Sequence, residues 1–421
     1  MIAAKEAPLL SRAPRSSEFP WQWLPIGVFV FFTTLNMLDR QLLAALAPTI
    51  KREFQLSNAQ YGGLISAFYA AQLMMCPLAG LFIDRVGVTL GASVSIVFWS
   101  IAGVATGWTR TLQALVGCRF GLGIGEAGGT TAPGAVLASF LNSAELGVGG
   151  SAVQIGGSLG SMAAPLLVAA LAPRYGWRFV FQACGILGLL WVPVWLLTTK
   201  RIPARFNANR KEPTPFGTLL KDRRFWGIVA AYALAKQTLW VSWTTIYFVQ
   251  DRHLTMIEAN RRFVWAVSVF AILGAVTAGV LATHWVRQGK GGLAARRKVW
   301  WYMAPLTLLT AAVPFMPTAS FAAAAIGVSY FATAGLWIST QLMSIDLYGV
   351  GRAAFAYSIL ECAQRLLDML ISPFIGEAVD HFGFKAACLI MSVIPVLGLA
   401  VLEFCLRGKR DKPLRSAPSR A

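Results

Sequence analysis

Residues 119–129, RFGLGIGEAGG, decide how the rest of the chain is interpreted. They lie inside an apolar run covering about residues 112–141, yet they include an arginine and a glutamate. On a helix Arg119 and Glu126 are two turns apart, so they share one face and are separated by about 10 Å along the axis. A charge inside a bilayer costs roughly 2.5–3.5 kcal/mol and is retained where it faces a cavity, a partner or a substrate. The stretch therefore predicts a functional site.

The same stretch contains GIGEAG at residues 123–128, which matches the GxGxxG pattern of dinucleotide-binding proteins. That pattern binds a nucleotide only where it follows a strand and opens a helix in a soluble βαβ unit. Here it lies within one long apolar segment, where small residues let neighbouring helices approach closely. We therefore expect helix packing at these glycines and no nucleotide.

The composition indicates a polytopic membrane protein. Of the 421 residues, 56% are hydrophobic and 13% charged, and the mean hydropathy is +0.60. The net charge of +19 is concentrated in residues 200–225 and 407–421, which connect or follow apolar segments. Basic connecting segments are typical of the cytoplasmic side, so we place both there and expect no nucleic acid partner.

Twelve windows of about 20 apolar residues predict an all-α protein with twelve transmembrane helices and cytoplasmic N and C termini. The predicted organisation is a six-helix bundle over residues 1–199, a basic cytoplasmic linker over 200–225, a second six-helix bundle over 226–406 and a basic tail over 407–421. The ninth window, residues 299–315, is the weakest because it contains Pro305 and Pro314. Two such halves indicate internal repeats with a substrate site between them near the bilayer midplane.

A short turn after the second window reads GLFIDRVG, residues 80–87. Its glycines, Gly80 and Gly87, flank an acid and a base, Asp84 and Arg85, which are suited to contacts with neighbouring helix ends. The matching place in the second half, GVLATH at residues 279–284, lacks the acid.

The GxxxDRxG turn resembles a signature of the major facilitator superfamily. LNMLDR at residues 35–40, the 119–126 stretch, and YGWR at 175–178 followed by GILG at 185–188 resemble its anion:cation symporter branch, which includes hexuronate and galactonate proton symporters. The resemblance implies that Asp39 and Glu126 couple proton movement, that Arg40 contacts a substrate carboxylate, and that Arg119 pairs with the acids. It is strongest in the first half of the chain.

Electrostatics alone gives a coupling scheme for these four residues. An arginine beside a carboxylate favours the ionised carboxylate, and an anionic substrate that takes over the arginine favours protonation instead. By linkage, protonation of Asp39 or Glu126 frees positive charge and favours anion binding. A buried ion-pair network that only fixes helix packing is the alternative.

The second half carries a further charged group that departs from the family pattern. Lys236 is in the seventh window, and Glu361, Arg365 and Asp368 have i, i+4, i+7 spacing in the eleventh, so they share one helix face. Two interpretations stay open. Lys236 and Arg365 form a second anion-binding pole, or all four residues form a closed salt-bridge gate.

Three uncharged residues are candidate substrate contacts. Gln72 stands where the resembled carriers have a sugar-binding tyrosine, Tyr69 lies on nearly the same face, and Gln154 is in the fifth window. Because Gln72 replaces that tyrosine, a short sulfonate or a dicarboxylate remains an alternative substrate to a sugar acid.

The leading hypothesis is a secondary active transporter that takes up a small organic anion with protons by alternating access. Efflux or lipid-type transport is the alternative within that class, and an enzyme is not expected. No ATP-binding pattern and no spaced histidines or cysteines are present, so neither a cofactor nor a metal is predicted. Protons supply the driving force, with sodium kept open. We expect a monomer in the inner or plasma membrane.

Overall fold

The computed structural model describes residues 21–141, 145–202, 217–236, 238–348 and 350–406. All regular structure in these ranges is helical. The α-helices are α1 Trp23–Glu53, α2 Asn58–Val86, α3 Val88–Thr106, α4 Leu112–Phe140, α5 Leu146–Arg201, α6 Gly217–Leu220, α7 Arg223–Ala235, α8 Thr238–Ser242, α9 Thr244–Gln250, α10 Met256–Ala259, α11 Trp265–Arg287, α12 Gly292–Met303, α13 Leu309–Ala312, α14 Ala319–Tyr348 and α15 Val350–Leu406. A π-helical turn at Asn260–Val264 and 3-10 turns at Ala304–Leu308 and Val313–Phe315 join some of them.

Seven helices in the described ranges are long and apolar enough to cross a membrane. Two of them, α5 with 56 residues and α15 with 57, greatly exceed the 20 or so residues that one crossing needs. Each bends sharply at a glycine with positive φ, Gly176 in α5 and Gly383 in α15. The all-helical membrane fold is thus confirmed, and the count of twelve crossings stays a prediction.

Positive-φ glycines mark the same places in both parts of the chain. Gly87 separates α2 from α3 and Gly289 lies between α11 and α12, with φ of 84° and 86°. Gly176 and Gly383, with φ of 79° and 69°, bend the two longest helices. A side chain is strained at such φ values, so glycine is required there. This recurring order supports the internal repeat that the two turn sequences indicate only weakly.

The glycines of α4 are contact points with three other helices. A Cβ placed on Gly125 would lie 2.5 Å from the backbone nitrogen of Trp99 in α3. One on Gly129 would lie 2.7 Å from the Nδ2 atom of Asn36 in α1, and one on Gly123 would overlap the Phe68 carbonyl of α2. The expected packing role of these small residues is confirmed.

Replacing Gly125 with alanine is expected to destabilise the protein by about 1–3 kcal/mol, because the new methyl group overpacks the α3–α4 contact. The measurement is the thermal unfolding midpoint in detergent. Gly134→Ala in the same helix is the matched control, since nothing lies within 4 Å of its added Cβ. Equal midpoints for the two variants would contradict the close approach.

Residues 21–202, called the first half, and residues 217–406, called the second half, touch at one end of the molecule. The Tyr61 hydroxyl donates to the Ser242 carbonyl at 3.1 Å, and Asn260 Nδ2 donates to the Ala45 carbonyl at 2.8 Å. Deeper inside, the Ser66 hydroxyl donates to the Met369 carbonyl at 2.7 Å. We call this the closed end; it contains the turn between α1 and α2.

The tightest contact at the closed end joins the start of α2 to the middle of α15. The Asp380 carboxylate accepts hydrogen bonds from the backbone nitrogens of Asn58 and Ala59, at 3.0 and 2.8 Å. These nitrogens begin a helix and lack intrahelical partners, so the carboxylate also complements the helix dipole. Lys51 donates to the Asn58 side chain beside them. The two halves are therefore held together by directional bonds as well as by packing.

The predicted domain boundaries stay predictions. Residues 203–216 of the basic linker and all of the tail at 407–421 lie outside the described residues.

Candidate functional site

The charged centre of the first half is an ion pair between α1 and α4. Arg40 Nη2 lies 2.7 Å and Arg40 Nε 3.0 Å from the same oxygen, Oε2 of Glu126. The glutamate side chain is fully buried, whereas 12% of the arginine side chain is exposed. The second carboxylate oxygen, Oε1, has no hydrogen-bond partner among the described residues. The pair thus has one accessible cation and one oxygen available to a proton.

Asp39 and Arg119 are buried behind this pair. The α1 helix turns Asp39 away from its neighbour Arg40, and both Asp39 and Arg119 are almost completely inaccessible. Arg119 lies over the Phe181 ring at 5.0 Å, and its Nε and Nη2 atoms lack hydrogen-bond partners within the described residues. It is close enough to Glu126 and Asp39 to interact electrostatically. The resemblance paired Arg119 with the acids; Arg119 interacts electrostatically with both of them, whereas the direct ion pair to Glu126 is made by Arg40.

Two aromatic rings of α2 separate the charges of the two halves. Arg40 lies 5.4 Å from the Phe68 ring centroid, and the next residue, Tyr69, has Lys236 at 5.4 Å and Arg365 at 5.6 Å from its ring centroid. One turn further on, Gln72 Nε2 is 3.5 Å from Glu126 Oε2. Gln72 therefore belongs with the first-half charges, whereas Tyr69 stacks with the cations of the second half.

Lys236 occupies a break in the helical backbone of the second half. It follows α7 with extended φ and ψ of −85° and 127°, and α8 begins at Thr238. Its Nζ atom lies 2.8 Å from Asp368 Oδ2, and the Thr238 hydroxyl donates to Asp368 Oδ1 at 2.6 Å. Arg365 Nη1 is 3.8 Å from the same Oδ2. Asp368 thus compensates two cations and has a hydroxyl donor as well.

Glu361 completes this group on α15. It accepts from Arg365 Nη2 at 2.7 Å, as the i, i+4 spacing predicts, and from the Tyr232 hydroxyl at 2.5 Å. Both charged residues are nearly inaccessible. The four second-half charges therefore neutralise one another as they stand.

The two charged groups face each other across the interface between the halves. Glu126 and Arg365 are close enough to interact electrostatically, and Cys76 is within the same range of both Arg40 and Arg365. Arg40, Glu126 and Arg365 lie near the middle of their helical segments, whereas Arg119 lies in the second turn of α4 and interacts electrostatically with Tyr61 at the closed end.

Comparison with known proteins shows the family of the chain. Residues 29–331 match the family model of the Major Facilitator Superfamily. The chain belongs to the Major Facilitator Superfamily. It is 24% identical over 409 residues to a hexuronate transporter of Escherichia coli strain K12, covering 92% of this chain and 94% of that one. It is 23% identical over 393 residues to a probable galactarate/D-glucarate transporter of Bacillus subtilis strain 168, covering 84% and 82%.

A solved structure confirms the superfamily fold. A bacterial homologue of the human lysosomal transporter Spinster, in an inward-facing and occupied conformation, has a TM-score of 0.80 at 19% identity, with 96% of this chain and 100% of that chain covered. The family match and the transporter relatives together make this chain a multi-pass membrane transporter and not an enzyme.

Sequence reasoning missed several residues of the transporter's site. Gln364 is 1% exposed, and neither its Oε1 nor its Nε2 atom has a partner among the described residues. It is three residues after Glu361 and four before Asp368, so the helical spacing that grouped the charges could have found it. Asn36, one turn before Arg40 on α1, also has an unpartnered buried amide nitrogen. Thr238 and Tyr232 were missed because their partners, Asp368 and Glu361, are 130 and 129 positions away in the sequence.

For Gln154 and for the described residues of the turn after α2, no hydrogen bond or ion pair with the two charged groups is present in the described part of this superfamily member. Gln154 is exposed on α5 and makes no hydrogen bond that the described residues account for. In the turn after α2, Gly87 has the required positive φ, Arg85 is exposed, and Gly80 has only Thr131 near its missing Cβ. The Asp84 side chain lies outside the described part of the chain, so the predicted Asp contact stays a prediction.

Proposed function

We propose that this protein is a proton-coupled symporter that takes up a sugar acid or a similar small organic anion by alternating access. Twelve crossings in two six-helix bundles, cytoplasmic termini, a bacterial inner membrane location and action as a monomer without cofactor or metal belong to the proposal. The ion pair between the accessible Arg40 and the fully buried Glu126 is the observation that carries it.

The Arg40–Glu126 pair is suited to exchanging partners with an anion. A substrate carboxylate that binds Arg40 removes the main compensation of Glu126, and a buried charge left unpaired is destabilising by about 3–5 kcal/mol. Protonation at the unpartnered Oε1 relieves this penalty. Anion and proton therefore favour each other's binding, and a site loaded with both is closer to neutral and reorients more easily.

Asp39 and Arg119 add a second acid and a second base beside the Arg40–Glu126 pair. Arg119 has two unpartnered nitrogens and interacts electrostatically with Glu126 and Asp39, so it compensates part of the charge of these acids before a proton is taken up. Asp39, with an unpartnered Oδ2, is the second proton acceptor of the proposal. The arrangement separates an accessible cation that binds the anion from buried groups that carry the proton.

The relatives support a sugar acid as the anion. Their names give hexuronate in one case and galactarate or glucarate in the other. Gln72, Tyr69 and Gln154 are the proposed partners of substrate hydroxyl groups. Gln72 lies beside Glu126 and its Oε1 is unpartnered. In the proposal this oxygen accepts a hydrogen bond from a substrate hydroxyl next to the substrate carboxylate that Arg40 binds.

The conformation follows from the proposed cytoplasmic placement of the termini. Since α1 then runs outward, the closed end is on the extracytoplasmic side and the structure is inward-facing. All hydrogen bonds between the two halves in the described ranges involve the α1–α2 end or its approach, as far as Ser66. Alternating access then requires these bonds to break in the outward-facing state.

Arg40→Gln is expected to lower the affinity for the transported acid about 10- to 100-fold, because a hydrogen bond to a charged group contributes about 1.5–3 kcal/mol. Competition between a labelled and an unlabelled acid in proteoliposomes measures this. Arg52→Gln, an exposed arginine on the same helix, is the matched control. Equal affinities for both variants would rule out Arg40 as the anion contact.

The substrate is tested by uptake into proteoliposomes with an imposed inward proton gradient. The panel contains hexuronates, aldonates, dicarboxylates and short sulfonates, each with and without a protonophore and with sodium in place of the proton gradient. Accumulation of a sugar acid that a protonophore abolishes supports the proposal. Accumulation of a sulfonate alone, sodium dependence, or transport of a lysolipid in place of every anion would each replace it.

A further inference from the structure

Lys236 is the accessible cation of the second half, as Arg40 is of the first. Its side chain is 20% exposed, whereas Arg365 is 7% exposed and Asp368 is fully buried. Arg40 and Lys236 are separated by the adjacent rings of Phe68 and Tyr69, whose centroids are 5.2 Å apart. The interface between the halves therefore has one reachable cation on each side.

If Lys236 moves away from Asp368, other groups still compensate the Asp368 charge. If its ammonium group turns toward a ligand, Asp368 keeps the Thr238 hydroxyl at 2.6 Å and has Arg365 Nη1 at 3.8 Å. Arg365 itself stays held by Glu361 at 2.7 Å. Removing one partner of a buried pair is normally strongly destabilising, and the reserve partners reduce that penalty. The first half has the same design, with Gln72 and Arg119 beside Glu126.

The backbone at Lys236 supports a binding role. The residue lies where the helical chain is interrupted, between Ala235 and Thr238. Interrupted helices near the midplane commonly form substrate sites in transporters, because their unpaired backbone groups face the ligand. A residue that only stabilised helix packing would have no need of this break.

We propose that Lys236 binds a second acidic group of the substrate, so that the preferred substrates are short polyhydroxylated diacids with a carboxylate at each end. This inference rests on the proposed function, since it assigns the first carboxylate to Arg40. Gln364, with both amide atoms buried and unpartnered beside Arg365 on α15, is the proposed partner of a hydroxyl group between the two carboxylates. Arg365 holds the acids of this half and makes no contact with substrate.

The competing interpretation is a gate made of the four second-half charges. A gate binds no ligand, so its removal changes the transport of all substrates alike. A second anchoring cation discriminates between substrates with one and two acidic groups. The two interpretations therefore differ in selectivity and not in overall activity.

The test compares glucarate with gluconate, which have the same carbon chain and differ in the second carboxylate. Inhibition constants for both are measured against uptake of one labelled substrate in proteoliposomes. The wild type is expected to favour glucarate at least about tenfold, and Lys236→Gln is expected to lower that preference at least about tenfold, from the loss of a charged hydrogen bond. Lys236→Arg is expected to restore most of it. Lys385→Gln, an exposed lysine of α15, is the matched control.

Three results would overturn the inference. The wild type binds gluconate as well as glucarate, the preference is unchanged in Lys236→Gln, or Lys236→Gln weakens both acids equally, as a gate requires. In each of these cases gluconate still binds and the proposed function stands. If neither acid competes with a substrate of the uptake panel, the inference is overturned, and the proposed function is decided separately by the uptake experiment.

Discussion

Glu126→Gln is expected to abolish proton-driven accumulation while exchange of anion across the membrane persists. Glutamine still accepts a hydrogen bond from Arg40, so the anion site stays assembled, but it cannot take up a proton. Each coupled proton contributes about tenfold accumulation per pH unit of gradient, so the variant loses that factor. Uptake under an inward proton gradient and counterflow with equal pH on both sides are measured on the same proteoliposomes.

Glu377→Gln is the control for this experiment, because Glu377 is exposed on α15. It is expected to accumulate substrate as the wild type does. The coupling role of Glu126 is refuted if Glu126→Gln still concentrates substrate, or if its counterflow is lost while the protein remains folded. The second outcome assigns Glu126 to holding Arg40 in place.

Gly62→Ala is expected to prevent closure of the closed end and to reduce transport about tenfold or more. A Cβ at Gly62 would overlap the Ser372 carbonyl oxygen of α15, which belongs to the backbone and cannot move aside as a side chain does. The halves therefore separate at this end, and the cycle stops with it open. The distance between spin labels at Arg52→Cys and Lys385→Cys, in a background without the native cysteines, is expected to increase.

Gly63→Ala is the matched control, because an added Cβ at this neighbouring position meets nothing within 4 Å. It is expected to transport normally with an unchanged label distance. If Gly62→Ala keeps both the wild-type distance and the wild-type rate, the close approach of α2 and α15 plays no part in the transport cycle.

The sequence predicted the residue types of the site better than their partners. The eight intramembrane charges stand out because a charge near the centre of a membrane-spanning segment is costly. The pairing of Arg40 with Glu126 joins residues 86 positions apart, which helical periodicity does not relate. The contacts of Arg365 with Glu361 and Asp368, which lie within one helix, were predictable from their spacing.

The fold shows the same division between local and distant features. The prolines of the ninth window predicted a weak helix, and 3-10 turns occur there at Ala304–Leu308 and Val313–Phe315. The glycines of α4 predicted close packing, but the sequence gives no means of telling which neighbour each one meets. The helix break at Lys236 has no proline or glycine beside it, so the local sequence does not predict it.

The most direct test of the account is whether the anion brings protons with it. Proteoliposomes that contain a pH-sensitive dye receive the best substrate of the uptake panel outside, with no proton gradient imposed. The account predicts that the lumen acidifies at the rate of substrate entry. It also predicts that Glu126→Gln, in vesicles preloaded with unlabelled substrate, exchanges labelled substrate without acidification. Net entry of substrate into wild-type proteoliposomes with no change in lumenal pH would contradict it.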